Sequence, residues 1–216
     1  MAQRPVFVPL ETGSRLVDEI QISFDWNPGF APSQKKKNVA ALHETAVRKG
    51  LTPLLEISSK SEEEVGQRLS AFNLKIDVGG GKASIESAYQ GSKVFENGGP
   101  YTDLYLVDSR TAKKDPRLRN SGRLIGFRFE GRDYPLSPTT AFYDWLYLSA
   151  LYPHREWLRR LHNRAGYTDI EFNPEYSLNC QARSFATFVA LERRGILEKT
   201  ISSFDAFKTL LQSASI

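Results

Sequence analysis

Hydrophobic residues recur at two different spacings along this chain, and the two spacings follow one another in no regular βαβ order. Ile20, Ile22, Phe24 and Trp26 alternate with Gln21, Ser23 and Asp25, the period-2 mark of a half-buried strand, which Asn27-Pro28-Gly29 ends. Val39, Leu42 and Ala46 instead share one helical face within residues 35–49, and Gly50 supplies the stop. Short strands are expected at 6–10 and 54–57, and a hairpin at 124–129 and 133–136 turning on Glu130-Gly131-Arg132. Ser61 followed by three glutamates reads as a helix N-cap, and Ser137-Pro138 as the start of a helix running to Tyr152. Further helices are expected at 180–194, closed by Gly195, and at 204–212. This mixture predicts an α+β fold, a single compact domain over residues 1–216 with several helices around short strands.

Composition narrows the function classes. With 216 residues, 40% of them hydrophobic, the chain has enough apolar material for a packed core, which excludes intrinsic disorder as its main state. The formal charge of +4 is a mild basic excess that permits a polyanionic partner without demanding one. Cys180 is the only cysteine, so no intrachain disulfide can form, and with His43, His154 and His162 it gives no metal-ligand spacing. No metal and no cofactor is therefore expected. Residues 1–10 lack a signal-peptide pattern, and no apolar run approaches the roughly 18 residues of a membrane span. A soluble, cytoplasmic protein with no membrane partner is the expectation. Residues 108–122, with Arg110, Lys113, Lys114, Arg117 and Arg119, form the clearest basic patch and read as a mobile loop.

The most informative stretch is Gly79-Gly80-Gly81-Lys82-Ala83-Ser84 and the helix that follows it. Glycines and a lysine before a helix invite a phosphate-loop reading, but the spacing fails: Ile76 stands where the first glycine belongs, and Ala83 where Ser or Thr must follow the lysine. A flexible turn is expected instead. Ser84 is a good N-cap, and Glu86, Gln90 and Lys93 then fall within about 60° of one another on the helix, while Ile85, Ala88, Ser92 and Phe95 form a separate packing stripe. Such a polar stripe is compatible with an ordinary solvated face. Tyr89, Gly91 and Ser92, however, leave room beside it for a bulky ligand.

The run Glu86-Ser87-Ala88-Tyr89-Gln90-Gly91-Ser92-Lys93 resembles the signature helix of the NADAR family: a Glu, an aromatic residue, then Gln, a small residue, any residue and Lys. Leu69-Ser70-Ala71-Phe72-Asn73 is similar to the family's segment around Ser-Asn-Phe. The family's Trp-Gly-x-Gly stretch is missing, and Asn173-Pro174-Glu175-Tyr176-Ser177-Leu178-Asn179-Cys180-Gln181-Ala182-Arg183 stands in its place. The branch it most resembles is that of antitoxins encoded beside DarT-type toxins, which attach ADP-ribose to guanine bases in DNA. That resemblance implies a glycosidase that removes ADP-ribose from guanine, with ADP-ribosylated guanine in DNA and ADP-ribose as ligands and a cognate DarT-type toxin as a partner.

Breaking the bond between the guanine nitrogen and the anomeric carbon builds positive charge on the sugar, which a neighbouring carboxylate can stabilise. Glu86 is the candidate. Lys93, expected roughly 10.5 Å further along the helix axis, serves either as a neutral amine attacking an opened sugar or as a cation. Gln90 would orient a ribose hydroxyl and Ser92 would contact substrate. Lys82, with the amides near Gly80 and Gly81 or an arginine of the basic loop, would hold pyrophosphate. Tyr89, Phe72 and Trp145 offer flat surfaces for bases, and Asn73, Asp103 and Asp169 offer hydrogen bonds. Two other classes compete: an antitoxin that only binds ADP-ribose or its toxin, and a basic nucleic-acid-binding module. The pairing of Glu86 with Lys93 favours the enzyme, because binding alone does not require it.

Overall fold

The computed structural model describes residues 1–29 and 31–213. The alternation read at 20–26 belongs to a long antiparallel pair, β1 (Ala2–Pro9) and β2 (Val17–Phe24), in which Ala2 faces Phe24 and Pro9 faces Val17. Helix α1 (Pro32–Val47) buries Val39, Leu42 and Ala46, and Gly50 after it takes a φ of +81° that a side chain would resist. Then come β3 (Leu54–Glu56), α2 (Glu64–Arg68), the hairpin β4 (Lys75–Val78) and β5 (Gly81–Ser84), α3 (Ile85–Gly91) and β6 (Lys93–Phe95). A 3-10 segment, Thr102–Leu106, leads into α4 (Ser109–Lys114) and α5 (Arg117–Asn120). The hairpin β7 (Leu124–Phe129) and β8 (Arg132–Tyr134) follows, then α6 (Ala141–Leu151), α7 (Arg155–Leu158) and β9 (Gly166–Thr168). Helices α8 (Gln181–Arg193), α9 (Leu197–Ile201) and α10 (Phe204–Ser213) complete the α+β fold.

Three small sheets organise these elements. The first has the order β2-β1-β9-β3, with β3 and β9 parallel so that Glu56 is registered with Thr168; the second is β4-β5 and the third β6-β7-β8. Helix α8 buries Ala182, Phe185, Ala186, Phe188, Val189 and Ala190, nearly its whole circumference, because it lies between the first sheet and α6. The main core joins these residues to Phe7, Tyr147, Tyr167 and Phe207, while a smaller core of Val6, Ile22, Val39, Leu42 and Ile170 sits under α1. Most rings fill the interior. Phe127 and Phe142 stack with centroids 4.6 Å apart, and Trp145 packs against Tyr134 and Phe204. Trp145 is therefore partly buried against the core and lines neither lobe of the cleft beside α3.

Three local expectations need correction. Ser61 does not cap α2, which starts at Glu64 after Glu63; Ser61 ends a turn on the Ser58 carbonyl. The helix expected from Ser137-Pro138 begins only at Ala141, after Thr140 in left-handed backbone (φ +69°), where the Thr140 hydroxyl donates to Asp144. The turn expected at the triple glycine is present: Gly79-Gly80 is the turn of the β4–β5 hairpin, and the Gly79 amide donates to Glu130. Residues 108–122 hold α4 and α5 in place of an extended loop, and Arg117 is pinned by Asp103 and Asp115. Among the described residues no helix is long and apolar enough to cross a membrane.

Candidate functional site

Serines at the start of α3 assemble the site. The Ser84 hydroxyl accepts the Ser87 amide at 3.0 Å, the N-cap contact expected from the sequence, and shares a 2.6 Å hydrogen bond with Ser109 at the start of α4. Ser109 in turn donates to the Phe72 carbonyl, and Ser87 donates to Val107. Asp108 caps α4 by accepting the amides of Arg110 and Thr111. These bonds fix α4 against α3, and the consequence is that Lys113 Nζ lies 3.6 Å from Glu86 Oε1.

Glu86 is 7% exposed and lines a cleft of about 120 Å³ together with Phe72, Lys113, Tyr143, Asp169 and Asn179. Gln90 Nε2 donates to Glu86 Oε1 at 2.9 Å, the i, i+4 contact that the stripe anticipates, while Gln90 Oε1 is buried without a hydrogen-bond partner. Lys93 is not on the helix. Ser92 ends it, its hydroxyl donating to the Ala88 carbonyl, and the chain turns into β6, where Lys93 is registered with Phe127. The expected rise along a continuous helix therefore does not apply. Even so, Lys93 Nζ sits 4.9 Å from the centre of the Tyr89 ring. Burial lowers its ammonium below the ordinary lysine value and the Lys113 charge adds to this, while Glu86 pulls the other way.

A second lobe of about 270 Å³, walled by Tyr89, Phe127, Phe142, Leu136 and Leu178, meets the first at Tyr143 and Asn179, which line both. Burial pushes the Tyr89 phenol up to about 12, against the pull of a hydrogen bond from Asn179. One lobe is thus polar and charged, the other aromatic.

The far wall of the polar lobe comes from β9 and the start of α8. Gln181 Oε1 accepts the Ala71 amide at 2.6 Å, and the same side chain hydrogen-bonds Asp169. Asp169 is buried beside Glu56 and Cys180; desolvation first, then the Glu56 charge, raises its carboxyl well above the usual carboxylate range. Glu56 is 2% exposed and accepts Thr168 Oγ1 at 2.6 Å and the Ile170 amide at 2.8 Å. Because the Thr168 proton goes to Glu56, the 2.8 Å contact with His43 Nε2 makes the imidazole the donor. Burial holds the pKa of that histidine down at about 4, so it is neutral at pH 7.

Of the residues singled out in the sequence, the cleft gathers Glu86, Phe72, Asp169 and Tyr89, with Gln90 and Lys93 directly behind them. Trp145 and Asp103, the latter paired with Arg117, stand elsewhere, and so do Ser92, Asn73 and Lys82. Ser92 is fully buried and bonded to Ala88 and Tyr105. Asn73 is a turn residue donating to the Gln67 carbonyl, and Lys82 is exposed on the hairpin, 3.7 Å from Asp77. The room expected beside Gly91 is filled from within: a Cβ there would come 2.6 Å from the Tyr105 ring. Tyr143, Asn179, Gln181 and Glu56 were not anticipated, although the amide-rich segment around Asn179 was visible as the place where the resemblance departs. Among the described residues no cluster of His, Cys, Asp or Glu is placed to hold a metal.

The model of the family described as DarT1-associated NADAR antitoxin matches residues 2–216. No curated protein matches the chain at a significant level.

Proposed function

The chain belongs to the DarT1-associated NADAR antitoxin family, and from that premise we propose that residues 1–216 act as one glycosidase domain that removes ADP-ribose from guanine bases of DNA or from guanosine nucleotides. Membership carries the antitoxin role and a DarT toxin as its counterpart. The observation that carries the chemistry is the buried Glu86 carboxylate at the cleft wall with two lysines around it, Lys113 at 3.6 Å and the desolvated Lys93.

In this reading the sugar lies in the polar lobe and a base enters the aromatic one. Glu86 stabilises the charge that develops at the anomeric carbon and relays a proton to the departing guanine nitrogen. Gln90, with one amide arm on Glu86 and a buried carbonyl oxygen without a partner, accepts a ribose hydroxyl. The ring bond from C1 to its oxygen breaks as the guanine nitrogen lone pair forms a double bond to C1 and the ring oxygen takes a proton relayed by Glu86. Lys93, with its proton loosened by burial, then adds to C1 as a neutral amine. The bond from C1 to guanine breaks, guanine leaves with a proton, and water then hydrolyses the lysine imine to release ADP-ribose. The alternative route, direct attack by water with Lys93 as a cation, uses the same carboxylate.

The test is incubation of the purified protein with an ADP-ribosylated guanine oligonucleotide, followed by mass spectrometry. Free ADP-ribose and unmodified guanine are expected. Retention of the adduct with measurable binding would make the protein a binding antitoxin instead.

A further inference from the structure

Tyr176 is 84% exposed and Leu178 71% exposed, and both belong to one short turn at the cleft. The turn is built, not slack: the amides of Tyr176 and Ser177 both donate to the Asn173 carbonyl, and the Glu175 amide donates to the Asn173 side chain. Ser177 and Asn179 line the polar lobe, and Leu178 and Asn179 the aromatic one, so the turn stands at the mouth of the site. The partly exposed Trp157 carries the Arg160 guanidinium on its ring, whereas Tyr176 has no ring or cation over it among the described residues.

Charge gives the mouth a direction. On one rim α4 presents Arg110, Lys113 and Lys114, and among the described residues Lys114 has no acidic side chain within ion-pair distance. The turn side carries Glu171 and Glu175, with Arg4 near enough to Glu175 for their charges to interact. A polyanion lying across the mouth is drawn to α4 and repelled by the opposite rim, which leaves its apolar faces toward Tyr176 and Leu178. Nucleic acid has that combination of charged backbone and flat faces.

We propose that the turn bearing Tyr176 and Leu178 is a wedge for DNA: Tyr176 stacks on the base next to the modified guanine, Leu178 closes the space that the guanine vacates, and the strand's phosphates run along α4. A base held in a cleft must leave its stack, and a side chain that replaces its neighbour offsets that cost. The proposal rests on the glycosidase reading for its substrate.

The test compares Tyr176→Ala and Tyr176→Phe on two substrates, an ADP-ribosylated guanine oligonucleotide and the corresponding mononucleotide. Stacking on one base corresponds to about a tenfold to hundredfold change, so Tyr176→Ala should lose about that much kcat/KM on the oligonucleotide and nothing on the mononucleotide. Tyr176→Phe, which keeps the ring, should retain activity on both. Unchanged oligonucleotide kinetics, or equal losses on both substrates, would overturn the wedge. So would a loss confined to inhibition of the toxin, which would assign the turn to a protein partner. If the wild-type protein leaves both substrates intact, the glycosidase reading fails by itself. The wedge is then read from 2-aminopurine placed beside the modified guanine: quenching by wild type that Tyr176→Ala loses supports it, and identical fluorescence with both proteins refutes it.

Discussion

Lys113 Nζ lies 3.6 Å from Glu86 Oε1, joining the last turn of α4 to the first turn of α3 across the edge of a cleft. Lys113 is well exposed while Glu86 is buried, so the pair contributes little to stability. Its meaning is positional, since it sets a second amine beside the carboxylate in addition to Lys93.

Glu86→Gln keeps the shape of the side chain and the acceptor for Gln90 but removes charge and proton capacity. Turnover of ADP-ribosylated guanosine should fall about a hundredfold or more, with the thermal melt nearly unchanged. Turnover within tenfold of wild type would remove Glu86 from the proton-transfer role.

The two lysines are separable by trapping. Borohydride added during turnover should reduce an imine on the Lys93 peptide and leave an ADP-ribose-derived mass there. An adduct on the Lys113 peptide would transfer the nucleophile to that residue, whose amine also reaches Glu86. Absence of any adduct would favour direct attack by water. If Lys93 is the nucleophile, kcat/KM rises with pH through its lowered pKa, and Lys93→Arg, which stays protonated, is inactive.

Asp169 holds its proton more tightly folded than unfolded, because burial and Glu56 raise its carboxyl. Between the ordinary carboxylate value and the raised one, the folded chain binds a proton that the unfolded chain lacks, so stability falls as pH rises through that window. Asp169→Asn keeps polar contacts and cannot ionise. Urea unfolding should show it gaining on wild type as pH rises from the ordinary carboxylate value to 7, with the difference between the two constant below that window. Parallel pH curves for the two proteins would refute the assignment.

Gly91→Ala places a methyl group 2.6 Å from the Tyr105 ring and 2.8 Å from the Tyr101 carbonyl. The carbonyl belongs to backbone that cannot swing away. A loss of about 1–3 kcal/mol is expected in chemical denaturation, together with weakened activity, because the same packing seats α3. Wild-type stability in this variant would show that the Thr102–Leu106 segment gives way freely.

The helix that carries Glu86 and Gln90 was legible because its signals are local: an N-cap serine, an i, i+4 pair and a family-like spacing. Lys93 was legible as a residue but not in its position, since Ser92 has no helix-breaking character of its own and the helix stops where β6 finds β7 to pair with. The cap expected at Ser137-Pro138 failed for a similar reason: Thr140 and Asp144, acting through side chains, set the start of α6. Glu56, Gln181 and Asn179 had no periodic or motif signal, because their places come from strand pairing across the length of the chain.

The parallel pairing of β3 with β9 joins residues 54–56 to 166–168. On a ribosome adding residues one at a time, Glu86 emerges long before Asp169, Asn179 and Gln181 exist to face it, and the interval is on the order of ten seconds at ordinary elongation rates. Until then the long loop between the two strands has nothing to close against. A message interrupted before β9 is made thus yields a chain that carries α3 but lacks Asp169, Asn179 and Gln181, the far wall of the cleft.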